Sequence, residues 1–257
     1  MKLGDFFILT VSMLAFLAVC GDELVEQEPQ VSSVCGGERG YGVASCADTV
    51  VEAPSAGDSD FGDPNLAVNG VHGGGDSSSG TDVFSLSLEP GVSDYLTLSW
   101  AGLRVTNGSG ADLVVFENAF QVSGSVYFMD PTLVLLSQDG ANWVEFPHDY
   151  VNEDETTYSS DPDMWVGFAG IHPVRLNIDT NPVDPFDQEL AGGDHFDLDD
   201  LPTSDELSLS IRQDGFRFLR LTAAATQLNP DTGELFPADS MSNGPDIDGV
   251  YARYLSE

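Results

Sequence analysis

Basic side chains are scarce in this sequence. Lys and Arg together number 8 against 43 Asp or Glu, which gives a formal net charge of −35 at pH 7. A chain with such a field repels phosphate, so binding to nucleic acid by phosphate neutralisation is excluded. Anionic lipid headgroups are disfavoured for the same reason. Apolar residues make up 41% of the chain, enough for a core, so the acidity does not imply wholesale disorder.

Long apolar runs are also lacking, apart from one near the start of the chain. It follows Lys2, ends at Cys20 and gives way abruptly to acidic residues. The run is too short for a comfortable membrane span and matches a secretory signal. Its end resembles a bacterial lipobox, in which the Cys is acylated, although Val19 is not the usual small residue. We predict a lipoprotein signal peptide over residues 1–19 and a lipid on Cys20; ordinary secretion with cleavage elsewhere is the alternative.

Cysteine is scarce as well, and 3 is an odd number for an exported protein. If Cys20 carries the lipid, Cys35 and Cys46 remain and can pair in an oxidising compartment. Residues 20–47 are acidic, rich in Gly and without periodicity. We therefore predict that they form a tether, closed by a Cys35–Cys46 disulfide loop, between the lipid and a folded domain.

Helical periodicity is poor, and residues 198–212 are the only stretch that favours a short helix. From Thr49 onwards short β-type runs alternate with turn clusters, several with strict alternation of apolar and polar residues. The runs cover residues 49–52, 83–88, 95–100, 113–116, 132–137, 143–146, 216–222 and 249–254. This spacing predicts one all-β domain over residues 48–257, an antiparallel β-sandwich of the jelly-roll type with long loops.

The clearest local signal is a hairpin around Asp139 and Gly140. Asp-Gly between two apolar strands is a tight-turn signature, because Gly tolerates positive φ. The pattern Ser-x-Asp-Gly-x-x-Trp, which ends at Trp143, resembles a hairpin of galactose-binding-like jelly rolls. It supports the predicted fold and says little about activity.

Larger blocks carry a family resemblance over the chain from about residue 49 onwards. They are Val68–Gly75, Thr81–Leu86, Gly110–Phe120, Gly192–Leu198, Gly215–Arg220 and Gly244–Val250. Together they resemble an uncharacterised bacterial lipoprotein family of the spirochaete and myxobacterial type, related to cell-surface proteins with a galactose-binding-like jelly roll. The resemblance implies an exported protein, lipid-anchored in the outer membrane or at the cell surface, with a β-sandwich. It implies no catalytic residues.

Clustered acidic residues make calcium the candidate cofactor, because calcium takes six to eight oxygen ligands and tolerates irregular loops. The candidate metal ligands are Asp194, Asp197, Asp199 and Asp200, with a second pair at Asp246 and Asp248. The alternative is that these are solvated turn or cap carboxylates. A further alternative is that the acidity reflects adaptation to salty surroundings, where ions screen self-repulsion.

Signatures of catalysis are missing. The four His residues never occur in zinc-site spacing, and neither a Gly-x-Ser-x-Gly elbow nor a phosphate-binding Gly-Lys loop is found. Glu117 and Glu145 could be a glycosidase pair, but a sequence does not give their separation. We predict that the chain is not an enzyme; a secreted polysaccharide hydrolase is the alternative.

Aromatic residues in loops are candidates for stacking on sugar rings. Trp165 and Tyr158 lie in the long loop over residues 152–170 and are our predicted ligand-binding residues, with a loop anchor as the alternative role. Trp100 and Trp143 lie in predicted strands and are expected in the core. The sequence thus predicts a lipid-anchored cell-envelope protein, a non-enzymatic binding or structural module whose partners are the membrane, through the lipid, and a surface glycan or protein.

Overall fold

The computed structural model describes residues 41–57, 60–89 and 94–257. In this part the chain is an all-β structure of antiparallel sheets. The predicted signal peptide, Cys20 and Cys35 lie outside the described residues, so the lipid and the Cys35–Cys46 pairing stay predictions.

The strands are mostly short and are joined by long connections. In chain order they are β1 (Tyr41–Cys46), β2 (Thr49–Glu52), β3 (Phe84–Ser85), β4 (Leu96–Ser99), β5 (Arg104–Val105), β6 (Leu113–Glu117), β7 (Phe120–Ser123), β8 (Val126–Phe128), β9 (Thr132–Ser137), β10 (Val144–Glu145), β11 (Asp149–Tyr150), β12 (Trp165–Val166), β13 (Asp194–Phe196), β14 (Phe218–Ala223) and β15 (Asp246–Ser256). The α-helices are α1 (Gln188–Ala191) and α2 (Glu206–Asp214), and 3-10 helices cover Pro64–Val68, Pro162–Met164, Leu198–Asp200 and Ala224–Thr226.

Two sheets form the sandwich. The first has the strand order β1-β15-β6-β13, with β3 and β5 also paired to β15. The second has the order β10-β9-β14-β4-β2. Smaller two-stranded sheets join β11 to β12 and β7 to β8. The long β15 is thus the strand to which most of the first sheet is attached.

The main core lies between the two sheets. Alternation along each strand sends one set of side chains inward, as Leu96 and Leu98 show in the second sheet and Leu113 and Val115 in the first. These side chains are completely buried, as is Trp100, whose indole N–H donates to the carbonyl oxygen of Ser45 at 3.0 Å. The sandwich is therefore closed by apolar contact between the two inner faces.

Loops cover parts of the outer faces. Val114 and Phe116 point away from the main core and pack with Val71, Val174 and Tyr251. Every residue of β6 is consequently buried, because both of its faces are covered. A third cluster packs Leu133 of β9 with aromatic side chains of the connections; these are Tyr150, Trp165, Phe168 and Phe236.

A strand is found within or across each predicted run, and β2 and β9 have the predicted limits. The run predicted over residues 83–88 is reduced to the two residues of β3. The connection from β9 to β10 carries Gly140 at φ +77°, and the Asp139 carboxylate accepts hydrogen bonds from the N–H groups of Ala141 and Asn142. It spans six residues rather than a two-residue turn. The Asp-Gly signal was thus right about the hairpin and wrong about its length.

Three local predictions are corrected. Tyr41–Cys46, assigned to the tether, is a strand paired with β15, so the folded domain begins before residue 48. The predicted helix over residues 198–212 is a 3-10 turn followed by α2, which begins at Glu206 because the Asp205 side chain caps it by accepting from the Ser208 N–H. Trp143 is only half-buried and stacks on the Arg220 guanidinium instead of entering the core.

Candidate functional site

A cavity of about 190 Å³ opens beside β13, an edge strand of the first sheet. Its walls combine aromatic rings with a few polar side chains. The apolar lining includes Phe146, Phe168, Ile171 and Phe196, and the polar lining includes His172, Gln188, Asp194, His195 and Asp200. Apolar walls with a small number of convergent polar groups are typical of ligand-binding pockets.

The chain around Gly192 and Gly193 sets the position of Asp194. Helix α1 ends at Ala191 and is capped by Gly192, and Gly192 and Gly193 both have a positive φ, of +70° and +72°. A Cβ atom at Gly192 would lie 1.9 Å from the carbonyl oxygen of Pro173, so a larger residue would displace backbone. The two glycines turn the chain into β13, where Asp194 pairs with Val115 and shares its inward face.

The Asp194 carboxylate is buried and its hydrogen bonds hold His172 in place. One oxygen accepts from the N–H groups of Gly170 at 2.7 Å and Ile171 at 3.1 Å. The other lies 2.6 Å from Nδ1 of His172. The pKa of His172 is raised, mainly by this hydrogen bond and partly opposed by burial. The arrangement orients an imidazole that is 45% exposed and lines the cavity.

His195 is the second histidine at the cavity. Burial lowers its pKa, and its Nε2 atom is buried without a hydrogen-bond partner in the described structure. The neutral ring therefore keeps an unused hydrogen-bonding atom. The His195 side chain shares the outward face of its partner Val114, and its ring lies 6.3 Å from that of Phe186, so only its neighbours Asp194 and Phe196 face inward. The His172 imidazole, the amide of Gln188 and the aromatic walls suit an uncharged polar ligand.

A second polar group, which we name the inner acidic group, lies next to the cavity and consists of Glu117, Asp130, Asp239 and Asp246. The pKa of Glu117 is raised well above its ordinary value, mainly by burial and next by the negative charge of Asp130. Burial also raises the pKa of Asp130 to about 6, with contributions from Asp239 and Asp246. In the described part of the chain none of the four forms an ion pair with Arg or His.

The predicted calcium ligands of the first cluster are dispersed. The Asp194 carboxylate is already hydrogen-bonded to His172 and to two backbone N–H groups. The Asp197 carboxylate caps a 3-10 helix by accepting from the N–H of Asp199 at 2.8 Å. Asp199 forms an ion pair with Arg212 at 2.9 Å, and Asp200 is exposed. Among the described residues no three His, Cys, Asp or Glu side chains are arranged to hold a metal ion. Asp197 is thus a helix-cap carboxylate, which was the alternative to a metal ligand.

The second predicted pair is also split. Asp246 accepts a hydrogen bond from the Ser85 hydroxyl and belongs to the inner acidic group. Asp248 lies in a bulge of β15, where the register against β6 shifts between Ile247 and Gly249. Its carboxylate is completely buried, accepts from the His72 N–H at 2.8 Å and has a pKa well above its ordinary value because of burial. The bulge thus separates the two carboxylates.

The predicted aromatic ligand residues are structural. Trp165 is completely buried, its indole N–H donates to the carbonyl oxygen of Ser159 at 2.8 Å, and its ring lies 4.0 Å from that of Tyr150. Tyr158 is half-buried and donates to the carbonyl oxygen of Met129 at 2.7 Å. The prediction that Trp165 stacks on a ligand is therefore wrong: it anchors its loop on the sandwich, the alternative role.

Cys46 is buried in β1 and is disulfide-bonded. Its partner lies outside the described residues. Glu117 and Glu145 do not form a catalytic pair across a cleft, because Glu117 is buried inside the sandwich and Glu145 faces His148 at 3.1 Å on β10. Neither of them lines the cavity.

Sequence reasoning missed His172 and Asp130. Neither lies in a recognisable motif, and His172 gains its role from a hydrogen bond to a residue 22 positions further along the chain. The Gly192–Gly193 turn was the available signal, since it marks a place where the backbone approaches another segment closely.

The class of protein defined so far is an all-β sandwich with a polar and aromatic cavity beside its edge strand β13. Comparison with family models, curated proteins and solved structures found no match for the chain. None of the helices in the described part is long and apolar enough to cross a membrane. The functional argument therefore rests on the geometry of the cavity.

Proposed function

We propose that this chain is an exported, lipid-anchored protein of the bacterial cell envelope whose sandwich domain, of jelly-roll type, is a non-enzymatic binding module for an uncharged carbohydrate. The single observation that carries the binding role is the cavity beside His172 and Asp194. Aromatic faces pack on the apolar side of a sugar ring, and imidazole and amide groups bond its hydroxyls. The net charge of −35 disfavours anionic ligands.

The size of the cavity limits the ligand. A volume of about 190 Å³ lies below the range of pockets that enclose drug-sized molecules. It suits one sugar ring, such as the terminal residue of a glycan. An envelope anchor places such a module next to surface polysaccharide, and the lipid on Cys20 supplies the attachment that the acidic surface cannot.

A glycan array with the detergent-purified full chain tests the binding role. Gln188 is exposed at the cavity and begins α1, so Gln188→Trp should narrow the cavity without disturbing the core and should lower glycan binding at least tenfold. Leu190→Trp is the matched control, because Leu190 is 52% exposed on the same helix and does not line the cavity. Absence of glycan binding by the unmodified chain, or equal loss in both variants, contradicts the proposal.

Mass spectrometry of the mature N-terminus tests the anchor. The expected species begins with a diacylated or triacylated Cys20, and Cys20→Ala should release the protein from the membrane fraction. An unmodified Cys20, or cleavage downstream of it, would remove the lipoprotein part of the proposal and leave the binding role untouched.

The second candidate function, a secreted polysaccharide hydrolase, is favoured by one observation. A buried carboxylate orienting an exposed imidazole is the arrangement of a general base with its positioning partner. The residues that line the cavity include no Ser, Thr or Cys, so the attacking group would be water or the exposed carboxylate of Asp200. Release of reducing ends by the unmodified chain, abolished in His172→Gln, would establish the hydrolase; binding without release supports the module.

A further inference from the structure

The four carboxyl side chains of the inner acidic group come from different parts of the chain. Glu117 ends β6, Asp130 lies just before β9 and Asp246 begins β15. Asp239 lines a small space together with Asp130 and Tyr158. Carboxylates at this depth lose hydration and repel one another, and no Arg or His of the described part forms an ion pair with them. Protonation is therefore the way in which this group becomes neutral.

Glu117 is the member that ionises at the greatest cost. Its side chain is 2% exposed; Oε1 accepts the Asp246 N–H at 3.0 Å, while Oε2 is buried and forms no hydrogen bond in the described structure. A buried anion is stable only when its oxygens are satisfied. Burial accordingly raises the pKa of Glu117 well above its ordinary value. The fold thus favours the neutral carboxyl.

The backbone at Gly170 packs directly against Glu117. A Cβ atom at Gly170 would lie 3.2 Å from Oε2 of Glu117 and 2.4 Å from the carbonyl oxygen of Asp130, so not even a methyl group fits there. The N–H groups of Gly170 and Ile171 donate to the Asp194 carboxylate. Gly170 is therefore in contact with the inner acidic group and with the residue that orients His172.

The same stretch of chain forms part of the cavity wall. Phe168, Ile171 and His172, which lie on both sides of Gly170, all line the cavity. We name residues 168–172 the wall segment. A displacement at Gly170 would move these lining residues and weaken the hydrogen bonds to Asp194.

We propose that the inner acidic group is a proton-operated latch on the cavity. With its carboxyls neutral, the wall segment stays packed on Glu117 and the cavity keeps its shape. When they ionise, Glu117 is driven towards water and away from Asp130, and the wall segment loosens. Ligand affinity is then highest in acid and falls as the pH rises. This last consequence rests on the proposed carbohydrate role, whereas the loosening of the wall segment does not.

The direction of the pH effect follows from the folded-state pKa values. Burial raises the pKa of Asp130 from 3.8 to about 6 and that of Glu117 well above 4.5. The stability that these carboxyls contribute is complete below the unfolded values and is lost as the pH rises through the folded values. The titratable groups that face Glu117 or Asp130 are Asp194, Asp239, Asp246 and Tyr158. Asp194 carries the His172 imidazole, which also loses its proton as the pH rises, so a test has to separate the two causes.

Hydrogen exchange of the detergent-purified full chain at pH 5.5 and pH 8, read by mass spectrometry, tests the latch. Protection of the wall segment, corrected for the intrinsic exchange rate, should fall by about tenfold or more between the two pH values. Helix α2 should keep its protection, because its described hydrogen bonds involve none of the four carboxyls. In Glu117→Gln, whose amide does not ionise, the fall should disappear. Asp112→Asn is the matched control: Asp112 is another buried carboxyl with a pKa of about 6, it bonds Gly108 and Leu198 instead, and its variant should keep the fall.

The outcomes separate the latch from its alternatives. Equal protection of the wall segment at both pH values in the unmodified chain overturns the latch. The same fall in Glu117→Gln assigns the effect to the His172–Asp194 pair and also overturns it. If Glu117→Gln does not fold, His172→Gln replaces it, since this side chain is 45% exposed. A fall that persists without the imidazole supports the latch, and a fall that vanishes contradicts it.

A glycan identified on the array gives a second readout. Its Kd for the unmodified chain should be about tenfold higher at pH 8 than at pH 5.5, and the difference should largely disappear in Glu117→Gln. A glycan bound equally at both pH values would overturn the link between the latch and the cavity. A wall segment that loosens with pH in a chain that binds no glycan would contradict the proposed function and leave the latch in place.

Discussion

Buried carboxylates with hydrogen-bonded oxygens connect distant segments of this acidic chain. Asp112 accepts from the N–H groups of Gly108 and Leu198, each at 2.8 Å, and so joins the start of β6 to the segment after β13. Asp248 performs a similar role for the His72 backbone. A carboxylate can accept several N–H groups at once, which makes it a compact support for irregular loops.

The raised pKa of Asp248 predicts how it responds to substitution. Because burial favours the protonated form, Asp248→Asn replaces a neutral acid by a neutral amide and keeps an acceptor for the His72 N–H. We expect the free energy of unfolding at pH 7 to change by less than about 1 kcal/mol, whereas Asp248→Ala should cost about 1–3 kcal/mol by leaving that N–H unsatisfied. Urea unfolding measures both. An Asn variant as unstable as the Ala variant would show that Asp248 works as an anion.

Asp112 predicts a pH dependence of stability. Burial raises its folded-state pKa from 3.8 to about 6, so between these values the folded chain holds a proton that the unfolded chain has released. The contribution of Asp112 to stability is therefore present below pH 3.8 and is lost as the pH rises to about 6. Tm measured from pH 4 to 7 should fall more steeply in the unmodified chain than in Asp112→Asn. Equal slopes would contradict a buried, protonated Asp112.

At the scale of elements, β15 organises the first sheet and β1 completes it. Strand β1 pairs with β15 from Tyr41↔Tyr254 to Cys46↔Tyr251, and the Ala47 N–H continues the pairing with Val250 at 2.8 Å. The carbonyl oxygen of Ser45 also holds the indole of the buried Trp100. The segment that the sequence predicts to be a tether is thus partly a structural strand.

Two truncations test this boundary. A chain that begins at residue 41 keeps β1, and a chain that begins at residue 48 lacks it. Both chains lack Cys20 and Cys35, so neither can form the Cys46 disulfide, and its loss cannot explain a difference in stability between them. We expect the shorter chain to be less stable by roughly 3 kcal/mol or more, from lost strand hydrogen bonds and apolar burial. Chemical unfolding gives the free energy of unfolding of both chains. Equal values would mean that residues 41–47 add no stability and belong to the tether.

At the scale of the whole molecule, self-repulsion opposes folding. The net charge is −35, and the ion pairs in the described part lie mostly at the surface. Folding therefore brings many negative charges closer together. Salt shortens the range of this repulsion from about 10 Å at 0.1 M to about 3 Å at 1 M. Compactness is therefore expected to be favoured at high ionic strength.

The prediction is that Tm increases continuously from 0.05 to 1 M sodium chloride, and equally in potassium chloride, because screening does not distinguish the two ions. Differential scanning calorimetry measures it in calcium-free buffer. A Tm that stays constant or falls would mean that screening by salt does not stabilise the folded chain. That result would contradict the hypothesis that the acidic composition is an adaptation to salty surroundings.

The sequence by itself determined the features that local chemistry controls. Alternation of apolar and polar residues located β2 and β9, and the Asp139–Gly140 pair located the hairpin, because side-chain period and positive φ are properties of adjacent residues. Composition determined the acidity, and the spacing of the short alternating runs determined the all-β class. The lipid on Cys20 remains a prediction from the sequence alone.

Only the tertiary structure decided the cavity and the inner acidic group. β13 is a strand because Asp194–Phe196 pairs with β6, about eighty positions earlier, although its own residues suggest a loop. Trp165 became an anchor because other segments buried it. The carboxylates at positions 117, 130 and 246 have raised pKa values because the two sheets enclose them together. Burial and charge proximity depend on contacts between segments that are far apart in sequence, and a local pattern does not contain them.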